Sequence, residues 1–242
     1  MLTRLKRFYE AQMMCPDFPG LFINPFYFAR KGLYDGVRSL APSVRGRVLD
    51  VGCGTQPYRR LFLTAEYTGM ELDTPENRAR KRADVFYNGQ TFPFDAESFD
   101  SLVCSQVLEH VFTPLEFVRE LNRVLKPGGY LLLTVPFVWD EHEQPYDCAR
   151  YTSFGLFALM REAGFEVIEQ VKTMADIRVL CQLVNAYLYK VTVSKSPYLN
   201  LLSTLLFMAP INLLGAAARF VTPSNLDLYL DNVILVKKIG GE

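Results

Sequence analysis

The chain has 242 residues, half of them hydrophobic, with 26 acidic and 26 basic side chains and a formal net charge of zero. That length and apolar content support one domain with a substantial core. The balanced charge disfavours a nucleic-acid partner, which usually calls for a basic excess.

The five cysteines, at 15, 53, 104, 148 and 181, form neither a zinc spacing nor a disulfide framework and point to a reducing cytoplasm. Met1 to Arg7 holds three basic residues with no apolar core behind them, so no signal peptide is expected. Residues 3–11 read as a short basic helix with Leu2, Leu5 and Phe8 on one side, and Cys15 to Gly20 as a loop. Asn24 and Pro25 look like a helix cap and first turn, followed by Phe26, Ala29, Leu33 and Val37 at helical spacing. That helix would form a lid or pack on a sheet edge.

Residues 46–51 make a short apolar strand that runs into Asp50-Val-Gly52-Cys-Gly54-Thr-Gln-Pro57. Two glycines one residue apart suit backbone that turns sharply or approaches a ligand, and Pro57 suits the first position of a following helix. A strand, a glycine turn and a helix N-terminus form a nucleotide-sized cradle. Pro57 breaks the dinucleotide fingerprint G-x-G-x-x-G, and the phosphate loop G-x-x-x-x-G-K-[ST] is absent. A second strand, Glu66 to Met70, ends at Glu71, about 20 residues after the first glycine, where an acid meets ribose hydroxyls in nucleotide folds. Asp73 is the alternative.

Arg78, Arg80, Lys81 and Arg82 read as a solvated helix face, and Ala83 to Phe86 as a third strand. Phe99 to Cys104 is a fourth, buried strand. Thr113 and Pro114 open a helix with the apolar stripe Leu115, Val118, Leu121, Val124 and Leu125. Lys126-Pro-Gly-Gly129 stops it. Tyr130 to Val135 is then an unbroken apolar strand, as in a parallel sheet covered on both faces. Ser153 to Ala163 is a helix ended by Gly164, Phe165 to Val171 a sixth strand, and 230–238 the last.

The acid-first pattern Asp50-x-Gly52-x-Gly54 resembles motif I, [DE]-x-G-x-G-x-G, of the class I S-adenosylmethionine-dependent methyltransferases, departing at the last glycine, which is Gln56. The runs Ser98 to His110 and Leu125 to Pro136 resemble two further signatures of that family, in order. On these matches the chain is identified as a member, similar to the bacterial type 11-like methyltransferases. The resemblance implies an α/β fold: a Rossmann-like seven-stranded sheet, mostly parallel with the last strand antiparallel, and helices on both faces. It implies S-adenosyl-L-methionine as cofactor. Asp50 would lie near the methionine ammonium, Gly52, Cys53 and Gly54 would bring backbone to the cofactor, and Glu71 would hold the ribose. Asp84, or Asn88 to Gln90 in the long loop after it, would meet the adenine. Ser105 and Gln106 would line the methionine end, with His110 near the cofactor or packed under it.

The loop after the fifth strand carries Trp139, Asp140, Glu141, His142, Glu143, Tyr146, Asp147, Arg150 and Tyr151. Ligands in open α/β sheets bind at the carboxyl ends of strands, so this loop is expected to face the methyl acceptor. His142 leads as general base by intrinsic pKa, with Glu143, Tyr146 and Asp147 as runners-up. The alternative is that Tyr146, Asp147 and Arg150 cap and pair the next helix. The loop resembles one in bacterial family members that work on surface glycans or lipids. No metal site is visible in the sequence.

The domain reading is a single methyltransferase domain, 1–242, with an N-terminal helical segment at 1–45 and a helical insertion at 172–229 before the last strand. Within the insertion, 196–218 lacks any charge. Its length would permit a membrane span, but Pro197, Asn200, Pro210, Asn212 and Gly215 argue against one. A hairpin lying on a membrane or dimerising, a lid over an apolar substrate, and simple packing onto the domain are the other readings. The expected activity is methyl transfer to a small-molecule, glycan or lipid-linked acceptor, with a quinone or other lipid-like molecule second. A cofactor-binding scaffold without catalysis is the competing class. The expected location is the cytoplasm, peripheral at the inner membrane surface if the insertion meets lipid.

Overall fold

The computed structural model describes residues 2–64, 66–80 and 83–240. Backbone packing divides the chain into two compact units. A helical unit comprises Met1–Asp35, Val138–Asp140 and Lys172–Asp231; a sheet unit comprises Gly36–Phe137, Glu141–Val171 and Asn232–Glu242.

The strands are β1 (Arg47–Val51), β2 (Glu66–Leu72), β3 (Val85–Tyr87), β4 (Phe99–Ser105), β5 (Leu125–Pro136), β6 (Phe165–Lys172) and β7 (Asp231–Lys238). Among the described residues they pair into one sheet in the order β3-β2-β1-β4-β5-β7-β6. The pairs β2–β3, β1–β2, β1–β4 and β4–β5 are parallel. Ile239 N donates to Gly164 O and Leu230 N to Thr173 O, so β6 and β7 run in opposite directions, as expected of the last strand.

Val48, Leu49 and Val51 of β1 and Leu131, Leu132 and Leu133 of β5 are fully buried. Such unbroken apolar runs are what a sheet covered on both faces needs. The amphipathic α5 (Pro114–Val124) buries Phe117, Val118, Leu121 and Val124 in one cluster with Leu102, Leu131 and Leu133, and α6 (Ser153–Glu162) adds Leu156 and Met160. Each large side chain withdrawn from water in this way contributes about 1.5–3 kcal/mol. Thr152 caps α6, its hydroxyl accepting from Gly155 N at 3.1 Å.

Several local expectations are corrected. No helix starts at Pro57; the chain makes only a 3₁₀ turn at Arg59–Leu61. Gln56 takes a left-handed φ of 53°, and few residues separate the glycine turn from β2. Bonds from Gln56 N to Cys53 O, Arg59 N to Gln56 O and Leu61 N to Tyr58 O therefore replace a helical ladder. The helix α3 (Tyr27–Leu40) begins later than Pro25, after an Asn24 whose Oδ1 accepts from Phe26 N at 2.8 Å. The preceding segment includes a single turn, α2 (Gly20–Ile23). The strand after α5 starts at Leu125, so Lys126-Pro-Gly-Gly lies inside it. The β4–β5 register jumps between Phe99–Leu125 and Ser101–Tyr130 to absorb the extra residues as a bulge. In the short α4 (Pro75–Arg80), Arg78 pairs with Asp73; Lys81 and Arg82 of the basic run lie outside the described residues.

The helical unit holds α1 (Leu2–Met14), α2, the start of α3, α7 (Arg178–Thr192), α8 (Pro197–Ser203) and α9 (Ala209–Ala218). A π turn at Thr204–Met208 joins α8 to α9, with Ala209 N donating to Thr204 O five residues back. Pro210 has no N–H with which to continue an α ladder there. Pro197–Ala218 is thus one helix, long and apolar enough to cross a membrane, with a mean hydropathy of 1.8 over its most apolar 18 residues and only 28% of those buried.

Candidate active site

The site grows from the carboxyl ends of β1, β2 and β4. Gly52 (φ 68°) and Gly54 (φ 48°) turn the chain out of β1 in the left-handed region that glycine reaches without cost. A Cβ on Gly52 would stand 2.4 Å from Val107 Cγ2, while one on Gly54 would meet nothing within 4 Å. The first glycine is fixed by packing and the second borders open space. Gln56 adopts the same left-handed backbone where a third glycine would stand, so the missing glycine leaves the turn intact.

Glu71, at the end of β2, accepts from Gly54 N through Oε2 at 2.9 Å and from Leu72 N through Oε1 at 3.0 Å. Asp50 is buried, and its Oδ2 accepts from the Tyr67 hydroxyl at 2.7 Å. Burial lifts its carboxyl to about 7; the Tyr67 bond pulls the other way and the charge of Glu71 adds to the rise. Cys53 lies buried beneath the turn, its thiol pushed up to about 12, chiefly by burial and then by Asp50.

Asp84 sits back from this rim: its Oδ2 accepts from Gly69 N at 2.7 Å, while β3 pairs Phe86 and Tyr87 with Glu71 and Leu72. The residues level with the rim begin at Asn88, whose Oδ1 holds its own loop through Gln90 N. At the end of β4, Ser105 Oγ lies 2.9 Å from Thr134 Oγ1, and Gln106, left-handed at φ 55°, donates to Thr134 O and Oγ1. Thr134 and Tyr67 are site residues that sequence reading missed; each stands in a strand, where its role depends on the neighbouring strand.

The loop after β5 brings the two histidines together, ring centroids 5.0 Å apart and planes 75° to each other. His110 Nδ1 meets Tyr146 O at 3.1 Å, and its Nε2 lies 3.9 Å from both Glu109 Oε1 and Glu143 Oε2. Glu109, which sequence reading passed over, is 0% exposed. His142 Nδ1 is 3.3 Å from Asp147 Oδ2, and the same carboxylate accepts from His142 N at 3.0 Å. Arg150 grips Asp147 with two bonds of 2.6 Å, holding that carboxyl far below the usual range. The Asp147–Arg150 pair, for which capping of the next helix is the alternative reading, contacts His142, while α6 is capped by Thr152. The Tyr146 ring is 70% exposed, and its contact with the cluster is through its carbonyl.

A model of the methyltransferase domain matches residues 49–133, the stretch from β1 through β5 that carries these features. Over that stretch the chain matches the methyltransferase domain. The cofactor of that domain is S-adenosyl-L-methionine. The chain is 32% identical to a probable S-adenosylmethionine-dependent methyltransferase of Mycolicibacterium smegmatis, over 62% of this chain and 63% of that protein. It is 35% identical to a fatty-acid O-methyltransferase of the same organism, over 42% of this chain and 41% of the relative. The matches thus span about two fifths to just under two thirds of these relatives' lengths. Among solved structures, the [4+2]-cyclase SpnF superposes with a TM-score of 0.55 at 19% identity, covering 86% of this chain and 82% of that one, a likeness of fold alone.

The residues of the methyltransferase domain fit its cofactor. The open space over Gly54 admits a ligand against backbone, Glu71 offers carboxylate oxygens to ribose hydroxyls at the rim, and the buried Asp50 is an anion in waiting for a cationic ligand.

Proposed function

We propose that this protein transfers the methyl group of S-adenosyl-L-methionine to an oxygen of a lipid-like or lipid-linked small molecule. The observation that carries the reading is the pairing of the Gly54 amide with Glu71 across the ends of β1 and β2, beside open space. When bound, the cofactor supplies a sulfonium methyl that an acceptor atom takes in line, the bonding pair staying on sulfur.

The chain's own residues do the rest. Gly52 and Gly54 let backbone approach the nucleoside, Glu71 fixes the ribose, and Asn88 or Gln90 meets the adenine edge. Ser105 and Gln106, braced on Thr134, line the methionine end. Holding donor and acceptor in line is the main contribution that a protein makes to such a displacement. An acceptor hydroxyl must also shed a proton. His142 is the group to take it: with Nδ1–H directed to Asp147, Nε2 is the basic nitrogen, and the Arg150 clamp keeps the carboxylate charged.

A lipid-like acceptor is favoured by the fatty-acid O-methyltransferase among the relatives and by the exposed apolar helix Pro197–Ala218, which we assign to peripheral contact with the cytoplasmic face of a membrane. Calorimetry with S-adenosylmethionine and its demethylated product tests the cofactor site; no uptake of either by folded protein overturns the proposal. Mass spectrometry of lipid, glycan and quinone extracts treated with enzyme and deuteromethyl cofactor identifies the acceptor. A mass-shifted lipid is expected. Cofactor uptake with no labelled product in any extract would indicate a binding scaffold.

A further inference from the structure

Glu109, His110 and His142 each offer one ligand atom, and these atoms lie within 4.8 Å of one another. We propose that the three hold a divalent transition-metal ion, of which zinc is the simplest case. The site itself does not depend on the methyl-transfer reading.

Three features beyond proximity support it. First, both imidazoles are set to present Nε2. His110 Nδ1 faces a backbone carbonyl, Tyr146 O, which can only accept, so Nδ1 carries the proton and Nε2 keeps its lone pair. His142 Nδ1 faces the Asp147 carboxylate in the same sense. Arg150 Nη2 also comes within 3.4 Å of that nitrogen, but its bond to Asp147 is shorter, at 2.6 Å. A carboxylate or carbonyl behind each ligating histidine is the usual outer support of a metal site, fixing ring orientation and tautomer.

Second, the third ligand is a carboxylate at 0% exposure, with both oxygens buried and one of them 3.9 Å from His110 Nε2. A carboxylate withdrawn from water is a strong ligand for a cation, the kind of partner that a bound metal supplies. Third, the set is two nitrogens and one oxygen, the donor mix that binds zinc or a neighbouring first-row ion with a coordination position left open. Tetrahedral ligation needs ligand atoms about 3.4 Å apart, so the side chains would draw in by about 1 Å on loading. Glu143, 3.9 Å from His110 Nε2, is near enough to add a fourth oxygen.

One consequence rests on the proposed methyl transfer. With an ion in place His142 Nε2 is committed to it, and the cation instead lowers the pKa of an acceptor hydroxyl bound to it, whose proton passes to solvent water. In the metal-free protein the proton goes to His142.

The test uses the full chain, stripped with chelator, and cobalt(II) and zinc chlorides as probes. Calorimetry and visible absorption are read, so the outcome is separate from cofactor binding and from activity. One ion per chain is expected, with cobalt d–d bands that zinc abolishes and affinity that falls on acidification as the histidines protonate. His110→Ala and His142→Ala are each expected to weaken binding at least tenfold, with folding verified by circular dichroism. Cys148→Ser, which removes the exposed cysteine nearby, is expected to leave it unchanged. Absence of stoichiometric binding, retention of wild-type affinity in either histidine variant, or loss in Cys148→Ser overturns the site.

Discussion

With its carboxyl lifted to about 7 by burial, Asp50 is divided between acid and anion near neutral pH. In the proposed binding mode a cationic ammonium beside Asp50 favours the anion, so cofactor binding should pull a proton off Asp50 wherever that group is still protonated. Affinity should therefore rise with pH up to about 7 and level off above, by up to about tenfold per unit on the acid side. Calorimetry from pH 5.5 to 8.5 reads this directly, and Asp50→Asn should flatten the profile and lower affinity at pH 8. Tyr67→Phe removes the hydrogen bond that favours the anion, which should shift the step to higher pH. The same shift acts on the ligand-free fold with a definite sign. A folded-state pKa above the unfolded value means the native protein holds the extra proton between about pH 4 and 7, so this stability is present at low pH and lost as pH rises through that window. Asp50→Asn should thus melt higher than the wild type at pH 8 and near it at pH 4.

Glu71 differs in lying at the rim, where the proposed function gives it a direct task. Glu71→Gln keeps an acceptor for Gly54 N but loses the charge that strengthens bonds from ribose hydroxyls, and should weaken S-adenosylhomocysteine binding by about tenfold with little change in melting temperature. An equal loss of stability and affinity would make Glu71 a structural brace of the turn only.

At the scale of the element, the turn after β1 separates two glycines that look alike in the sequence. Gly52→Ala must place a methyl 2.4 Å from Val107 Cγ2 at a φ of 68°, and should destabilise the fold by about 2–4 kcal/mol, read as the urea midpoint. Adding Val107→Ala should return the packing part and leave the backbone part. Gly54→Ala meets nothing and should cost about 1 kcal/mol in stability, yet impair cofactor uptake more, because the methyl stands where the ligand approaches.

The elements were legible where local pattern decides them. Leu131 to Leu133 announce a strand buried on both faces, and Thr113-Pro114 announce a helix start, whatever lies around them. The failure at Pro57 has a local cause that composition hides: Gln56 in the left-handed region leaves no room for a helix before β2. The residues expected at the cofactor rim could be placed at strand ends because those strands follow each other in the chain. The Glu109–His110–His142 cluster could not, since a histidine 32 residues farther on meets the first only when the β5 loop folds back over β4, and nothing in its spacing marks that contact.

For the whole molecule, the helical unit buries polar side chains as well as apolar ones. Beside an apolar cluster that includes Leu21, Phe28, Val179 and Leu230 lies a hydrogen-bonded polar chain: Gln182 accepts from Phe28 N and donates to Pro25 O, Asn185 donates to Asn212 Oδ1, and Asn212 donates to Leu21 O and Asn24 O, with all three side chains at 0% exposure. Its outside carries apolar residues too. Leu180, Val184, Tyr187 and Val191 form an exposed stripe along α7 at helical spacing, and Leu199, Leu202, Leu206 and Phe207 project from the helix that follows. Single exposed leucines are ordinary, but a run of this length over two neighbouring helices marks a surface that is covered in use. Under the membrane contact proposed above this surface meets lipid, and Lys195 between the helices, with Arg4, Lys6 and Arg7 on α1, is the charge that would favour an anionic bilayer. The protein should therefore float with anionic vesicles in a sucrose gradient, less so with neutral ones or in high salt. Changing Leu206 and Phe207 together to aspartate removes two side chains worth about 1.5–3 kcal/mol each in burial and adds two repelling charges, so the bound fraction should drop at least a hundredfold. Cofactor uptake should stay at the wild-type level, which shows that the variant is folded. Failure of the wild type to float, together with a concentration-dependent dimer in light scattering that the same two substitutions dissolve, would assign the apolar surface to a second copy of the chain instead.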